Sequence, residues 1–207
     1  MRTTPAKATT KADPDKERAA AIWVVEHFGV VQVKTEEGEV KRYVAAEHLP
    51  ATPFKITEIN LYEQEFDENE LSFLPELVHL EKIDISRTAV SDTGMRFIGK
   101  IPKLKSLQAR AMNFSAESFR LLQNGKNIEN CTVSGSKSVD DTILAVLVET
   151  MPNLKVFSCT STSITDAGLK PLMQLKSMRK LTATKQNWSE PAVKQLREEL
   201  PDCKIAI

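Results

Sequence analysis

An α/β solenoid is the fold class this sequence predicts, and three observations carry the prediction. Apolar residues return every 24 to 26 positions along most of the chain. Within each interval the spacing changes from that of a short buried strand to the i, i+3 spacing of a short amphipathic helix. Ahead of the first interval the pattern differs, reading as a helix and then a hairpin. Units of about 20 to 50 residues bury too little apolar surface alone, so they stack into a continuous core. The expectation is a right-handed solenoid with a parallel sheet on its concave face and helices on its convex face. The helix and hairpin cap its front.

The elements follow in order. Residues 1–13, MRTTPAKATTKAD, hold almost nothing to bury and are expected to be a disordered tail. Asp13 reads as an N-cap with Pro14 at the first helical position. The helix it opens runs to about Phe28 and is ended by Gly29. Its stripe of Ala19, Ile22, Trp23, Val25 and Phe28 makes Trp23 and Phe28 its anchors on neighbouring structure. Val30 to Val33 alternates like a strand, Glu37-Gly38 turns, and Val40 to Val44 returns. A loop with Pro50 and Pro53 completes a cap over residues 14–53.

Residues 54–207 carry the repeat, about five full units with partial ones at both ends. One column reads Leu80, Leu104, Ile128, Leu154 and Met178. Three residues on stand Ile83, Leu107, Cys131, Phe157 and Leu181, and two further Ile85, Ala109, Val133, Cys159 and Ala183. The helical halves are Val90…Met95…Ile98, Phe114…Phe119…Leu122, Val139…Leu144…Leu147, Ile164…Leu169…Leu172 and Trp188…Val193…Leu196. A looser copy runs from Ile56 to Leu74, and the chain ends on a partial strand from Cys203 to Ile207. Asp92, Asp141 and Asp166 fall near helix starts, where a carboxylate caps free N–H groups. Gly94 and Gly168 lie in first turns, where a small residue permits close stacking.

LEKIDISRTAVSDTGMRFI and LKVFSCTSTSITDAGLKPL are the clearest copies. In them the chain resembles the leucine-rich repeat family, in the bacterial ribonuclease-inhibitor-like, cysteine-containing form. The resemblance covers residues 54–207. It implies that Asn or Cys hydrogen-bonds the backbone at the turn after each strand. Here that column reads Thr88, Met112, Ser136, Thr162 and Gln186. Hydroxyls serve this purpose, but Met112 has no such donor, so a less regular turn is expected there.

The resemblance also implies a protein partner on the concave sheet. The candidate residues are Tyr62, Lys82, Asp84, Gln108, Arg110, Asn130, Thr132, Ser158, Thr160, Lys180 and Thr182. Tyr62 and Arg110 are the residue types that most often carry binding energy. The alternative is an adaptor or regulatory subunit of a larger enzyme assembly, docking through the N-terminal cap or the convex helices.

Lys plus Arg balances Asp plus Glu at 28 each, so no global charge points to nucleic acid or membrane. The balance hides a division. Residues 19–80 carry four basic and twelve acidic side chains, and residues 81–207 carry 19 basic and 13 acidic. Lys176, Arg179, Lys180 and Lys185 make the densest basic cluster, with no aromatics among them to stack bases. His27, His48 and His79 stand apart from one another, and the acidic run Glu63 to Glu70 lacks calcium-loop order. No catalytic constellation, cofactor motif or metal spacing is present, so a non-catalytic scaffold is expected. Cys131, Cys159 and Cys203 are too widely spaced for a redox or zinc motif and read as small buried hydrophobes. No apolar run reaches membrane-span length, and a cytoplasmic location is expected.

Overall fold

The computed structural model describes residues 13–184 and 188–207. The expected tail, apart from Asp13, and the turn positions Lys185 and Gln186 lie outside the described residues. Helix α1 (Pro14–Glu26) begins as its sequence dictates, with the Asp13 carboxylate accepting the N–H of Asp15. Its end departs from expectation. Phe28, not Gly29, takes the left-handed conformation (φ 57°), and its side chain is 85% exposed. Gly29 serves close approach instead: a Cβ there would lie 2.8 Å from the Asn60 carbonyl oxygen. Of the two expected anchors Trp23 packs inward, edge-on to Phe66 and Phe73 with centroids 5.6 and 5.2 Å away, and the face the helix buries is Ala20, Ala21, Val24 and Val25 rather than the expected stripe.

The hairpin forms as the alternation requires, with β1 (Val30–Thr35) antiparallel to β2 (Val40–Tyr43) across a turn at Gly38. Strand β3 (Phe54–Asn60) pairs antiparallel with β1 and parallel with β4 (Lys82–Asp84), converting a hairpin into a solenoid. Strands β5 (Ser106–Gln108), β6 (Asn130–Thr132), β7 (Val156–Ser158), β8 (Lys180–Thr182) and β9 (Lys204–Ala206) follow in parallel. The nine strands form one sheet in the order β2-β1-β3-β4-β5-β6-β7-β8-β9. Registers Ile83↔Leu107↔Cys131↔Phe157↔Leu181 reproduce the sequence column residue for residue.

Across one face of the sheet pack a 3-10 segment (Glu68–Glu76) and helices α2 (Asp92–Ile98), α3 (Ala116–Arg120), α4 (Asp141–Thr150), α5 (Leu169–Leu172) and α6 (Glu190–Glu199). Every apolar column named above is buried, so one core runs from Ala20 to Leu200. Cys131 and Cys159 belong to it, and burial pushes both thiols up to about 12.

Two details correct the sequence reading. The turn at Met112 is as regular as its neighbours. Glu63, Arg87, Ala111, Gly135 and Ser161 all have positive φ, and the first four donate their N–H to a carbonyl of the next repeat at 2.8 to 3.0 Å. The main chain makes this ladder, so the side chain at 112 is not needed; Met112 is buried and its N–H donates to Ser136 Oγ. The second correction concerns the caps. Ser91, Ser115, Asp140, Thr165 and Ser189 cap the helices. Asp92, Asp141 and Asp166 stand one residue later and reach forward to the next repeat. Asp92 accepts from Ser115 and Ser118 Oγ, Asp141 from Thr165 N–H and Oγ1, and Asp166 from Ser189 N–H. Glu68 starts the series by accepting from Ser91 N–H, Ser91 Oγ and Gly94 N–H.

Candidate functional site

The helix-free face of the sheet displays the alternate strand residues in two columns. One column is Glu58, Lys82, Ser106, Asn130, Val156 and Lys180; the other is Asn60, Asp84, Gln108, Thr132, Ser158 and Thr182. Tyr62, Arg110 and Thr160 lie just beyond the strand ends on the same parity. All eleven candidates named from sequence therefore share this face or its rim.

The face divides in two. Its front half is charged and internally paired. Glu58 sits between Arg42 and Lys82, with N–O distances of 3.1 and 2.9 Å. Asp84 accepts the Ser86 N–H at 2.9 Å and lies 3.7 Å from the Arg110 guanidinium. Both carboxylates are buried among their partners, whereas Arg42 and Arg110 are exposed. Tyr62, 38% exposed, borders this patch, its N–H held by Asn60 Oδ1.

The back half is a hydroxyl surface. Ser134 and Ser158 Oγ lie 2.9 Å apart, and Ser134 Oγ accepts the Thr160 N–H. Thr132 donates to Ser134. The Ser134 contacts tie neighbouring repeats to each other, and Lys180 projects at the far end.

Arg42 is the residue that sequence reasoning missed. It belongs to the hairpin rather than to the repeats, yet it reaches across β1 to Glu58 and also donates to Gln32. The signal was present: Arg42, Glu58 and Lys82 alternate in sign at same-face positions of β2, β3 and β4, with Gln32 of β1 between the first two.

No nucleophile among the described residues of this face is hydrogen-bonded to a histidine or other base in a catalytic arrangement. Among the described residues no group of His, Cys, Asp and Glu is placed to hold a metal ion. His27 contacts the Trp23 carbonyl and Glu70, and His48 is exposed. His79 is held below its ordinary pKa by burial and by Lys103 and Lys55. Of the basic cluster, Lys176 pairs with Glu199 and Arg179 donates to backbone carbonyls, while Lys185 lies outside the described residues. No helix among the described residues is long and apolar enough to cross a membrane.

Comparison with known proteins bears on the fold. No protein-family model and no curated protein matches the chain. Among solved structures, a leucine-rich repeat protein of Leptospira interrogans superposes with a TM-score of 0.52 at 18% identity, covering 73% of this chain. The match spans only 37% of that protein's length. An internalin of Listeria monocytogenes gives a TM-score of 0.38 at 12% identity over 66% of this chain and 50% of its own, too loose to carry an argument. With the parallel sheet and its helices, the first match defines the fold as an α/β leucine-rich repeat solenoid.

Proposed function

We propose that this chain is a non-catalytic protein-interaction module that binds a partner protein through the helix-free sheet face. The observation that supports it most is the front charged patch. Arg42, Glu58, Lys82, Asp84 and Arg110 are already held by one another. A partner meeting them therefore orders few side chains, which lowers the entropic cost of binding. Tyr62 supplies an exposed aromatic beside the patch. In this reading residues 14–53 are a front cap, residues 54–207 are the array, and the repeats are of the ribonuclease-inhibitor-like subtype. A cytoplasmic place is supported by three free cysteines, none in a disulfide. No nucleic acid, membrane or cofactor enters the reading.

Affinity capture with wild type and with Tyr62→Ala plus Arg110→Ala tests it. The double variant is expected to retain at least tenfold less of the captured protein. Equal retention overturns the assignment to this face.

One observation favours the second reading, an adaptor docking through the cap. A cavity of about 320 Å³ opens between α1 and the 68–76 segment, lined by Ala20, Trp23, Phe73 and Leu77. The Lys16–Glu76 ion pair stands at its side. If retention falls for Ala19→Arg and not for the Tyr62/Arg110 pair, the cap is the docking surface.

A further inference from the structure

The nine-stranded sheet has two open ends, and they are not alike. At the back, β9 presents Lys204 beside Lys180, and neither has an ion pair among the described residues. Free lysines on an edge strand repel an incoming strand of like kind and discourage pairing. At the front, β2 presents Val40, and Val44 stands one residue past its end, 52% and 65% exposed, on either side of Arg42. Exposed β-branched residues on an open edge are unusual, because they invite another strand.

The hydrogen-bond alternation shows how that edge is set. Thr35 N–H donates to the Glu39 carbonyl at 2.9 Å across the hairpin. In an antiparallel ladder every second pair exchanges bonds, so Val33–Lys41 and Val31–Tyr43 are the bonded pairs. The main-chain groups of Val40 and Arg42 therefore face away from β1, with no strand beyond them among the described residues.

The guarding charge on this edge is also neutralised. Arg42 lies back over β1, donating to Glu58 at 3.1 and 3.2 Å and to Gln32 at 3.3 Å. Lys41 projects to the other face and sits over the Tyr43 ring, 5.5 Å from its centroid.

We propose that two copies of this chain associate edge to edge through β2, antiparallel, about a dyad at Arg42. This register is self-complementary. Val40 of each copy stands opposite Val44 of the other, so all four exposed valines cover one another. Lys41 stands opposite Tyr43 of the second copy, a pairing the chain already makes internally. The only like charges directly opposed are the two Arg42 side chains, and each is drawn away from the dyad by its own Glu58. Joining β2 to β9 would instead bring a basic side chain of β2, Arg42 or Lys41 according to register, against Lys204, so the association closes as a pair and does not grow into a filament. The contact is one short strand wide, below the roughly 1,000 Å² of a stable complex. Its dissociation constant is on the order of 0.1 mM.

Sedimentation velocity from about 10 µM to 1 mM, in steps around that constant, tests the pairing. Wild type is expected to shift from monomer to dimer, and Val44→Lys to need at least tenfold more protein. A monomer throughout, or an unchanged constant in Val44→Lys, overturns it. The register is tested in a Cys203→Ser background. Residues opposed at a bonded antiparallel pair have Cα atoms about 5.5 Å apart, within disulfide reach. Arg42→Cys is therefore expected to form an intermolecular disulfide on mild oxidation, and Lys41→Cys not, because the two Lys41 are offset by two positions each. Equal cross-linking at both, or cross-linking at 41 alone, overturns the dyad at Arg42.

Discussion

Carboxylates accept backbone N–H groups in two regions of this molecule, and the two regions push them in opposite directions. At the junction of α1 and β3, Glu17 is 1% exposed and accepts the Ile56 N–H at 2.7 Å. Its other oxygen is buried without a hydrogen bond among the described residues. Burial pushes its carboxyl up to about 7, with the Ile56 N–H and the charge of Lys55 pulling only weakly the other way. At the first repeat boundary, burial also acts to raise Glu68. There Ser91 Oγ, Ser91 N–H and Gly94 N–H together outweigh it and hold the carboxyl below its ordinary value. Asp166 is likewise lowered by its bonds from Ser189. One donor does not replace lost water, but two or three beside open solvent do.

A second contrast lies among the boundaries themselves. Where a carboxylate reaches forward, the facing position in the next helix is small: Gly94 meets Glu68, Ser118 meets Asp92, and Gly168 meets Asp141. At the boundary where the column holds Ala116, the facing residue is Ile143 and the helix is capped by its own Asp140. Acid with small residue, or alanine with isoleucine, fills the same space.

The largest expected effect tests that packing. A Cβ at Gly168 would fall on Asp141 Oδ1 and within 2.8 Å of Ile164 Cγ2. Gly168→Ala is expected to lower unfolding free energy by about 3 kcal/mol, read by urea denaturation. Removing the clash with Asp141→Ala in the same chain should recover part of it, and no recovery would break the pairing of acid with glycine.

Next in size is the contrast in pH response. Glu17 has its folded-state pKa raised, so its contribution is complete below the unfolded value near 4.5 and is lost as pH rises through about 7. Wild type is expected to lose about 2 kcal/mol between pH 5 and 8 from this group, and Glu17→Gln to flatten that slope. Glu68 is lowered when folded, so its contribution is present above the ordinary carboxylate range and is lost as pH falls through its depressed folded value. Glu68→Gln is therefore expected to differ from wild type near pH 7 and to converge with it on acidification. Thermal unfolding across pH measures both. Slopes of the same sign would defeat the comparison.

The smallest effect comes from grafting an acid boundary where none exists. Ala116→Asp with Ile143→Gly rebuilds the acid and its cradle. A double-mutant cycle is expected to give a favourable coupling of about 1 kcal/mol, since each change alone leaves either a crowded carboxylate or a cavity.

The repeat was legible because each column is set locally. A buried strand needs apolar residues at Leu80, Ile83 and Ile85, a helix needs them at Met95 and Ile98, and stacking copies these demands every 24 to 26 residues. The eleven face residues followed from the same alternation. Phe28 did not follow: helical spacing continues through it, but the helix ends at His27 and the left-handed turn throws its ring into solvent. Arg42 was hidden because the hairpin register, not the repeat, brings it to Glu58.

By itself the sequence determined the fold, the core of the repeats and the face of the sheet on which each repeat side chain stands, because strand and helix periods are short-range constraints. Tertiary structure alone decided which N–H each carboxylate meets. Asp141 is the first residue of its own helix, yet its oxygens bond Thr165, 24 positions away, because stacking makes that residue the closer neighbour. The same stacking leaves β2 without a neighbour on its outer side among the described residues. Hydrogen bonds follow distance in space, and only the assembled repeats set that distance.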